Sequence, residues 1–192
     1  MSSAAVMNLA FMFGAMQVAK RIPFDEQPEY IIYARIAYAT AQAICLLINY
    51  FCAWKVKKAN DLTVLKYVEP KSPMSQEPGE LVTTTHRDYD LQEISKATRG
   101  VMMGTLMVGV MHFYMGYTNP LVIQSILPIK NALESKHAQI WIWGKPATGD
   151  LKRPFKAAGG LFGAATGAQG GPQTDKKAIA EAEKAGGAKK EE

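Results

Sequence analysis

The sequence predicts an all-α integral membrane protein with three transmembrane helices plus a short amphipathic or re-entrant helix, a polar cytosolic loop and a disordered C-terminal tail. Two observations support this fold class. With the exception of Arg35, the charged side chains lie outside three apolar stretches. Each stretch approaches the roughly 20 apolar residues that a helix needs to cross the hydrocarbon core of a bilayer. The stretches also lack the regular polar positions that the outward face of a soluble helix would show. Residues 1–156 are therefore expected to form a helical membrane domain.

The three predicted spans cover residues 4–19, 30–54 and 100–117. The first has no charged side chain and stops at Lys20 and Arg21. The second contains a single charge, Arg35, and has tyrosines and Trp54 near its ends, which is typical of the aromatic belt at a membrane interface. The third contains no charge, and His112 is its one ionisable side chain apart from tyrosines.

The segments between the spans are polar or rich in proline. Residues 60–89 are predicted to form an irregular loop. Asp90 is a predicted N-cap with Glu93 three residues later, as in a capping box, so the third helix should begin there and continue into its span. Asn119 and Pro120 then end that span or turn it sharply.

The region after the third span is apolar but short. Residues 120–134 are predicted to form an amphipathic or re-entrant helix, interrupted by Pro128 and carrying Lys130. The sequence leaves open whether residues 121–133 enter the bilayer. From residue 157 onward, the composition predicts a Gly/Ala-rich linker followed by a charged flexible tail, over residues 157–192.

Basic residues indicate the orientation in the membrane. Lys55, Lys57 and Lys58 follow the second span, and the positive-inside rule places them and the adjoining loop in the cytosol as a basic cytosolic flank. The net charge of +5 suits contact between such flanks and anionic lipids. The side of the membrane that holds the C-terminal tail stays open.

One face of the second span is polar. Arg35, Gln42 and Asn49 recur at intervals of seven, so they lie along one stripe of a helix. Polar groups in hydrocarbon cost about 2–3 kcal/mol or more, so this stripe should face protein or water. Two interpretations remain open: a polar intramembrane groove that is hydrated, or amides that simply bond a neighbouring helix.

The third span has two further patterns. Met103, Met107, Met111 and Met115 repeat every four residues and are candidates for a client-facing apolar wall, because methionine side chains adapt to partners of variable shape. Three glycines offer small surfaces for close helix packing. They are Gly100, Gly104 and Gly109.

No pattern in the chain predicts an enzyme, a cofactor or a metal site. Gly144 and Lys145 lack the further glycine and the serine or threonine of a phosphate-binding loop. His86, His112 and His137 are isolated in sequence and show no spacing typical of zinc ligands. The predicted partner from composition is therefore the lipid bilayer, and DNA is not expected.

Four strings of the sequence add a resemblance. They are TVLKYVEP (63–70), RDYDLQEI (87–94), MHFYMGYTNPLVIQSILPIKNALE (111–134) and GKPATGDLKRPFK (144–156). In these strings the chain resembles the fungal inorganic phosphate transport proteins of the endoplasmic reticulum, also called the third SRP-independent targeting proteins of the SND pathway. The resemblance extends over nearly the whole chain.

The resemblance implies residence in the endoplasmic-reticulum membrane, and the predicted spans make the protein multi-pass. It also implies an insertase-like subunit that helps to target and insert client membrane proteins beside the Sec translocon, other targeting subunits and the ribosome. A structural or chaperone subunit without insertase activity is the alternative. An inorganic phosphate carrier is disfavoured, because the sequence has no internal repeat and Arg35 is the one basic residue embedded in a span.

Overall fold

The computed structural model describes residues 3–24, 26–69 and 80–155, together with positions 172, 174, 175, 179 and 180. These residues form five α-helices, two β-strands and one 3-10 turn, Gly149–Leu151. The elements are α1 (Ser3–Lys20), α2 (Glu29–Ala59), β1 (Val64–Glu69), β2 (Glu80–Thr85), α3 (His86–Phe113), α4 (Asn119–Glu134) and α5 (Lys136–Trp141). The predicted linker and tail, residues 157–192, lie outside the described residues except at those five positions.

The prediction of three transmembrane helices is wrong. Among the described residues, α2 alone is long and apolar enough to cross a membrane, with 31 residues and a mean hydropathy of 1.7. The apolar stretch of α1, Leu9–Lys20, is shorter than a span. Helix α3 ends at Phe113, so its uncharged part covers only residues 100–113, about 21 Å at 1.5 Å per residue. The first two predicted spans are nevertheless helical, within α1 and α2.

The all-α prediction is also wrong, because two parts of the predicted loop, Val64–Glu69 and Glu80–Thr85, are β-strands. Strands β1 and β2 pair antiparallel, with Val64 opposite Thr85 and Glu69 opposite Glu80. The side chains from Val64 to Tyr67 alternate between exposed and buried, as in a strand with one buried face, and Val68 is buried as well. The proline-rich segment 70–79 that suggested a loop lies outside the described residues.

The predicted N-cap at Asp90 is wrong as well. Helix α3 begins at His86, and Thr85 caps it: the Thr85 Oγ1 accepts from the Asp88 backbone N–H at 3.1 Å and donates to Asp88 Oδ2 at 2.9 Å. The Thr85 hydroxyl is therefore the side-chain N-cap of α3, five residues earlier than the sequence indicated. Asp90 instead lies inside the helix and is fully buried.

The described chain divides into two compact units, and α2 and α3 each contribute to both. Unit 1 comprises residues 1–55 and 92–143. In it, α1 packs on α4 and α4 on α5. A small apolar core joins three helices, with Ala34 and Tyr38 from α2, Val108 from α3 and Leu121 from α4.

Unit 2 comprises residues 56–91 and 144–192 and contains the sheet. Its core holds Tyr67, Tyr89 and Phe155, whose rings make two edge-to-face contacts at 5.7 and 5.4 Å between centroids. The Tyr89 hydroxyl also accepts from the Phe155 backbone N–H at 2.7 Å. Aromatic pairs of this geometry contribute about 0.5–1.5 kcal/mol beyond area burial, so this cluster ties the segment after α5 to β1 and α3.

Helix α4 confirms that residues 120–134 are helical, and the structure leaves their relation to the bilayer untested. Pro120 stands in its first turn, where the missing N–H of proline is not needed. Pro128 stands inside the helix. Helix α3 ends at Phe113, before the predicted end of the third span, and Gly116 in the connection to α4 adopts a φ of +75°.

Candidate functional site in the helical unit

A cavity of about 390 Å³ in unit 1 is the candidate site. It lies between α2, α3, α4 and the start of α5. Its polar lining residues are Gln42, Asn49, Gln124, Asn131, Ser135 and His137, and its α3 wall is made of small residues that include Gly100 and Gly104. Among the described residues that line it, none is Lys, Arg, Asp or Glu. Most of the lining area is apolar, and we call this the polar cavity for the six side chains named above.

Gln42 donates a hydrogen bond to a backbone carbonyl of α4 that has no donor within its own helix. The carbonyl of Gln124 would accept from the backbone N–H of residue 128 in a regular helix, but residue 128 is proline and has no N–H. The Gln42 Nε2 donates to that carbonyl at 3.2 Å instead. Gln42 is 9% exposed, so this bond satisfies an acceptor in a nearly water-free place.

Asn49 makes the second polar contact between helices. Its Oδ1 lies 3.2 Å from His137 Nε2, and the same ring nitrogen lies 3.0 Å from the Ser135 hydroxyl. Ser135 is the N-cap of α5 and accepts from the Ala138 backbone N–H. Asn49 and His137 are both buried, so α2 and α5 are joined by a buried amide–imidazole contact beside the cavity.

Arg35, the third member of the polar stripe, is placed elsewhere. Its Nε donates to His112 Nε2 at 3.0 Å, and its guanidinium carbon lies 5.6 Å from the centre of the Phe113 ring. Arg35 does not line the cavity. The structure therefore brings Gln42 and Asn49 into one site and separates Arg35 from it.

Three methionines of the predicted wall, Met103, Met107 and Met111, lie on α3, and Met115 lies two residues after its end. Met103 and Met107 are 66% and 67% exposed, Met115 is also exposed, and Met111 is half-buried. None of the four lines the polar cavity. The structure contains no client, so their role as a client-facing wall stays a prediction.

The structure describes the predicted packing glycines and the basic flank without testing the role predicted for either. A Cβ at Gly100, Gly104 or Gly109 would meet no atom within 4 Å among the described residues, and the first two line the cavity. Lys57 and Lys58 lie exposed in the last turn of α2, while Lys55 lies over the Phe51 ring at 5.1 Å. A packing role for these glycines and a cytosolic position for these lysines stay predictions.

Sequence reasoning missed the α4 and α5 side of the site. A signal was present, since Gln124 and Asn131 are seven residues apart, like Gln42 and Asn49, and Pro128 and Ser135 continue the same helix face. His137 carries no sequence signal, because its contact with Asn49 spans 88 positions of the chain.

The strongest electrostatic contacts lie in unit 2. Arg153 donates from Nε and Nη2 to the two oxygens of Asp90, at 2.7 and 2.6 Å, and the side chains are 9% and 1% exposed. Burial opposes the charge of Arg153, but the hydrogen bonds and charge of Asp90 outweigh it and raise the pKa of the guanidinium. This bidentate pair fixes the segment after α5 to α3.

Asp61 makes a second, more exposed cluster in unit 2. Its Oδ1 accepts from the Thr63 hydroxyl and backbone N–H, and its Oδ2 lies 3.0 Å from His86 Nδ1. The hydrogen bonds from Thr63, followed by that of His86, lower the pKa of Asp61 to about 2. The cluster holds the end of α2 beside the start of α3 within this unit.

The comparisons with known proteins agree on one family. The model of the family described as "Phosphate transport (Pho88)" matches residues 1–190. The chain is 49% identical over 183 residues to SRP-independent targeting protein 3 of Saccharomyces cerevisiae, covering 95% of each chain. It is 39% identical to the SRP-independent targeting protein 3 homolog of Schizosaccharomyces pombe, covering 88% of this chain and 84% of that protein. No solved structure matches the chain. With a family match over nearly its whole length, this chain belongs to the Pho88 family.

Proposed function

We propose that this chain is a membrane protein of the endoplasmic reticulum that helps to target and insert client membrane proteins by an SRP-independent route. The names of the relatives support a role in SRP-independent targeting, and α2 as a possible membrane helix supports association with a membrane. Insertase activity, the Sec translocon and ribosome as partners, and the absence of an enzymatic reaction are parts of this proposal.

The polar cavity beside α2 is the observation that carries the insertase part of the proposal. Gln42 and Asn49 lie in the central part of the candidate span and share the cavity with polar groups of α4 and α5. Moving a polar flank of a client through hydrocarbon costs several kcal/mol, and an uncharged polar surface inside the membrane lowers that cost. The small residues of the α3 wall leave the cavity open to a passing chain.

The groove and packing interpretations of the polar stripe are compatible in this geometry. Gln42 and Asn49 each bond a neighbouring element, and both side chains also line the cavity. Their hydrogen bonds would keep the cavity walls in place while other polar groups contact a client. We therefore assign Gln42 and Asn49 to the walls, and Asn131, which is exposed, to the client-contacting surface.

The family description names phosphate transport, and an inorganic phosphate carrier is the second candidate. A phosphate site favours several convergent Arg or Lys donors. Among the described residues, the cavity lining holds none of these side chains. Targeting and insertion therefore fit the cavity better than carriage of a free anion.

Site-specific photocrosslinking tests the proposal. A photoreactive residue at Gly104 or Asn131, both in the cavity lining, should crosslink to a nascent membrane protein in endoplasmic-reticulum microsomes. Leu47 is the matched control, because it is 65% exposed on the same helix as Gln42 and does not line the cavity. Absence of crosslinks from both cavity positions, with translocon subunits still co-purifying, would favour the scaffold alternative.

A further inference from the structure

Arg35 is held in one orientation by two neighbours from α3. The His112 Nδ1 lies 3.1 Å from the Tyr117 carbonyl, which can only accept, so Nδ1 carries the proton and Nε2 is the acceptor. That Nε2 accepts from Arg35 Nε, and Phe113 stacks against the guanidinium. Because His112 is buried, the Arg35 side chain is fixed on one edge and one face.

The other edge of the guanidinium is not engaged. Within the part of the chain that the structure describes, no hydrogen bond reaches Nη1 or Nη2 of Arg35, and the side chain is exposed. A guanidinium with its fork directed outward matches the paired oxygens of a phosphate, and a prearranged fork loses less entropy on binding. The geometry of Arg35 therefore suits an oxyanion from outside the chain.

The position of Arg35 along α2 corresponds to the headgroup level of a bilayer. The 31 residues of α2 are about 46 Å long, and a hydrocarbon core is about 30 Å thick, so about 8 Å of a centred helix extends beyond the core at each end. Arg35 lies about 9 Å from the start of α2. The guanidinium is therefore at the boundary where lipid phosphates lie.

An apolar hollow begins beside the same residue. Phe113 and Tyr114 line a shallow hollow of about 500 Å³ on α3, together with Leu106, Gly109 and Val110. Its other end is Thr105. A Cβ at Gly109 would meet nothing within 4 Å, so the middle of the hollow is open.

The hollow runs from the level of Arg35 towards the middle of the bilayer. At one end Phe113 contacts Arg35, and at the other the Thr105 hydroxyl lies 3.5 Å from the Gln42 side-chain oxygen. Gln42 is about 10 Å further along α2 than Arg35. The hollow therefore places an apolar surface, which extends into the hydrocarbon, next to a cation at the headgroup level.

We propose that Arg35 and this hollow form a binding site for one glycerophospholipid. The phosphodiester accepts from Nη1 and Nη2 of Arg35, and an acyl chain lies along Leu106, Gly109 and Val110. The charge favours a lipid over the apolar helix of a protein partner, because such a helix would leave the guanidinium without an anion. The inference rests on the proposed membrane location of α2, and it is independent of client insertion.

Lipid titration of the purified full-length chain tests this site. In a non-ionic detergent, native mass spectrometry should show one dioleoylphosphatidylcholine bound, and dioleoylglycerol, with the same chains but no phosphate, should bind at least tenfold more weakly. Arg35→Gln should weaken phosphatidylcholine binding roughly tenfold or more, the loss expected for charge-assisted hydrogen bonds. Gly109→Leu should weaken it as well, because the leucine fills the hollow.

Matched variants keep the test decisive. Arg35→Lys keeps the positive charge but not the forked pair of donors, so it should lose part of the phosphatidylcholine binding. This variant takes the place of Arg35→Gln in the test if Arg35→Gln does not fold. Gly14→Leu, at another helical glycine with open space around it, should leave binding unchanged. Equal binding of phosphatidylcholine and dioleoylglycerol, unchanged binding in both Arg35→Gln and Gly109→Leu, or displacement of the lipid by millimolar inorganic phosphate would overturn the proposal. Because the assay contains no client, its result does not depend on the targeting role.

Discussion

Replacing Gln42 by leucine removes the amide that donates to the Gln124 carbonyl, the acceptor that Pro128 leaves without its helical partner. We expect the free energy of unfolding to fall, since a buried carbonyl would then have no donor. The same change in a Pro128→Ala background should cost much less, because the alanine N–H supplies the missing helical hydrogen bond.

The size of this effect follows from the geometry. Interhelical hydrogen bonds in membranes contribute about 0.6 kcal/mol on average and up to about 1.7 kcal/mol, while an unsatisfied buried acceptor in a soluble protein costs about 1–3 kcal/mol. The bond from Gln42 is 3.2 Å long, which is near the upper end of the normal range. We therefore expect Gln42→Leu to cost about 1 kcal/mol, and a coupling energy of about the same size between Gln42 and Pro128.

Reversible unfolding in mixed detergent micelles, followed by tryptophan fluorescence, measures this double-mutant cycle. Trp143 reports on α4, because its Nε1 donates to the Leu133 carbonyl at 3.0 Å. The control is Leu47→Ala, a truncation at an exposed position of α2. An equal cost of Gln42→Leu in the wild-type chain and in the Pro128→Ala background would refute the reasoning, since the carbonyl of Gln124 would then not be what Gln42 satisfies.

Three further predictions concern unit 2. Asp90→Asn should lower the free energy of unfolding by about 3–5 kcal/mol, because it leaves the Arg153 charge buried without its partner, and proteolysis at residues 144–155 should become faster. The double change Asp90→Leu with Arg153→Met should have a stability close to that of the wild type. Because hydrogen bonds lower the pKa of Asp61 to about 2, its contribution to stability should be present above about pH 4 and lost as the pH falls through about 2. In the Asp61→Asn variant, the rate of proteolysis should therefore change less with pH over that range. Thr85→Ala should cost about 1 kcal/mol through loss of the α3 cap, read as faster hydrogen exchange in the first turn of α3, with equal exchange rates counting against the cap.

Apolar length and charge segregation predicted most helices but not the number of spans. The ends of α2 are visible in sequence as Glu29 in its first turn and Lys57 and Lys58 in its last, which complement the helix dipole. The end of α3 is not visible, because residues 100–117 are uniformly uncharged, although Gly116 adopts a positive φ in the connection that follows the helix. A glycine in an apolar run is compatible with both a continuing helix and a turn.

The sheet and half of the candidate site depend on contacts between distant residues. Strand β1 shows a weak alternation, but its partner follows a polar, proline-rich segment, so the pairing of Val64 with Thr85 requires the folded chain. The polar stripe of α2 was predictable from its interval of seven. Arg35 bonds His112 and does not join Gln42 and Asn49 at the cavity, because of how α3 packs beside α2. The residue pattern of one helix carries no information about the helix that packs beside it.

If the polar cavity of unit 1 takes part in client insertion, filling the cavity should reduce that insertion. Gly104→Leu places a branched side chain in the cavity lining, at a position where a Cβ meets no described atom within 4 Å. Gly14→Leu makes the same change at an open helical glycine that does not line this cavity. Insertion of an SRP-independent client is measured in microsomes whose sole copy of this chain is one of these variants. We expect a several-fold loss of insertion for Gly104→Leu at normal protein level and wild-type insertion for Gly14→Leu. Wild-type insertion with the cavity filled would contradict a role of the cavity in insertion.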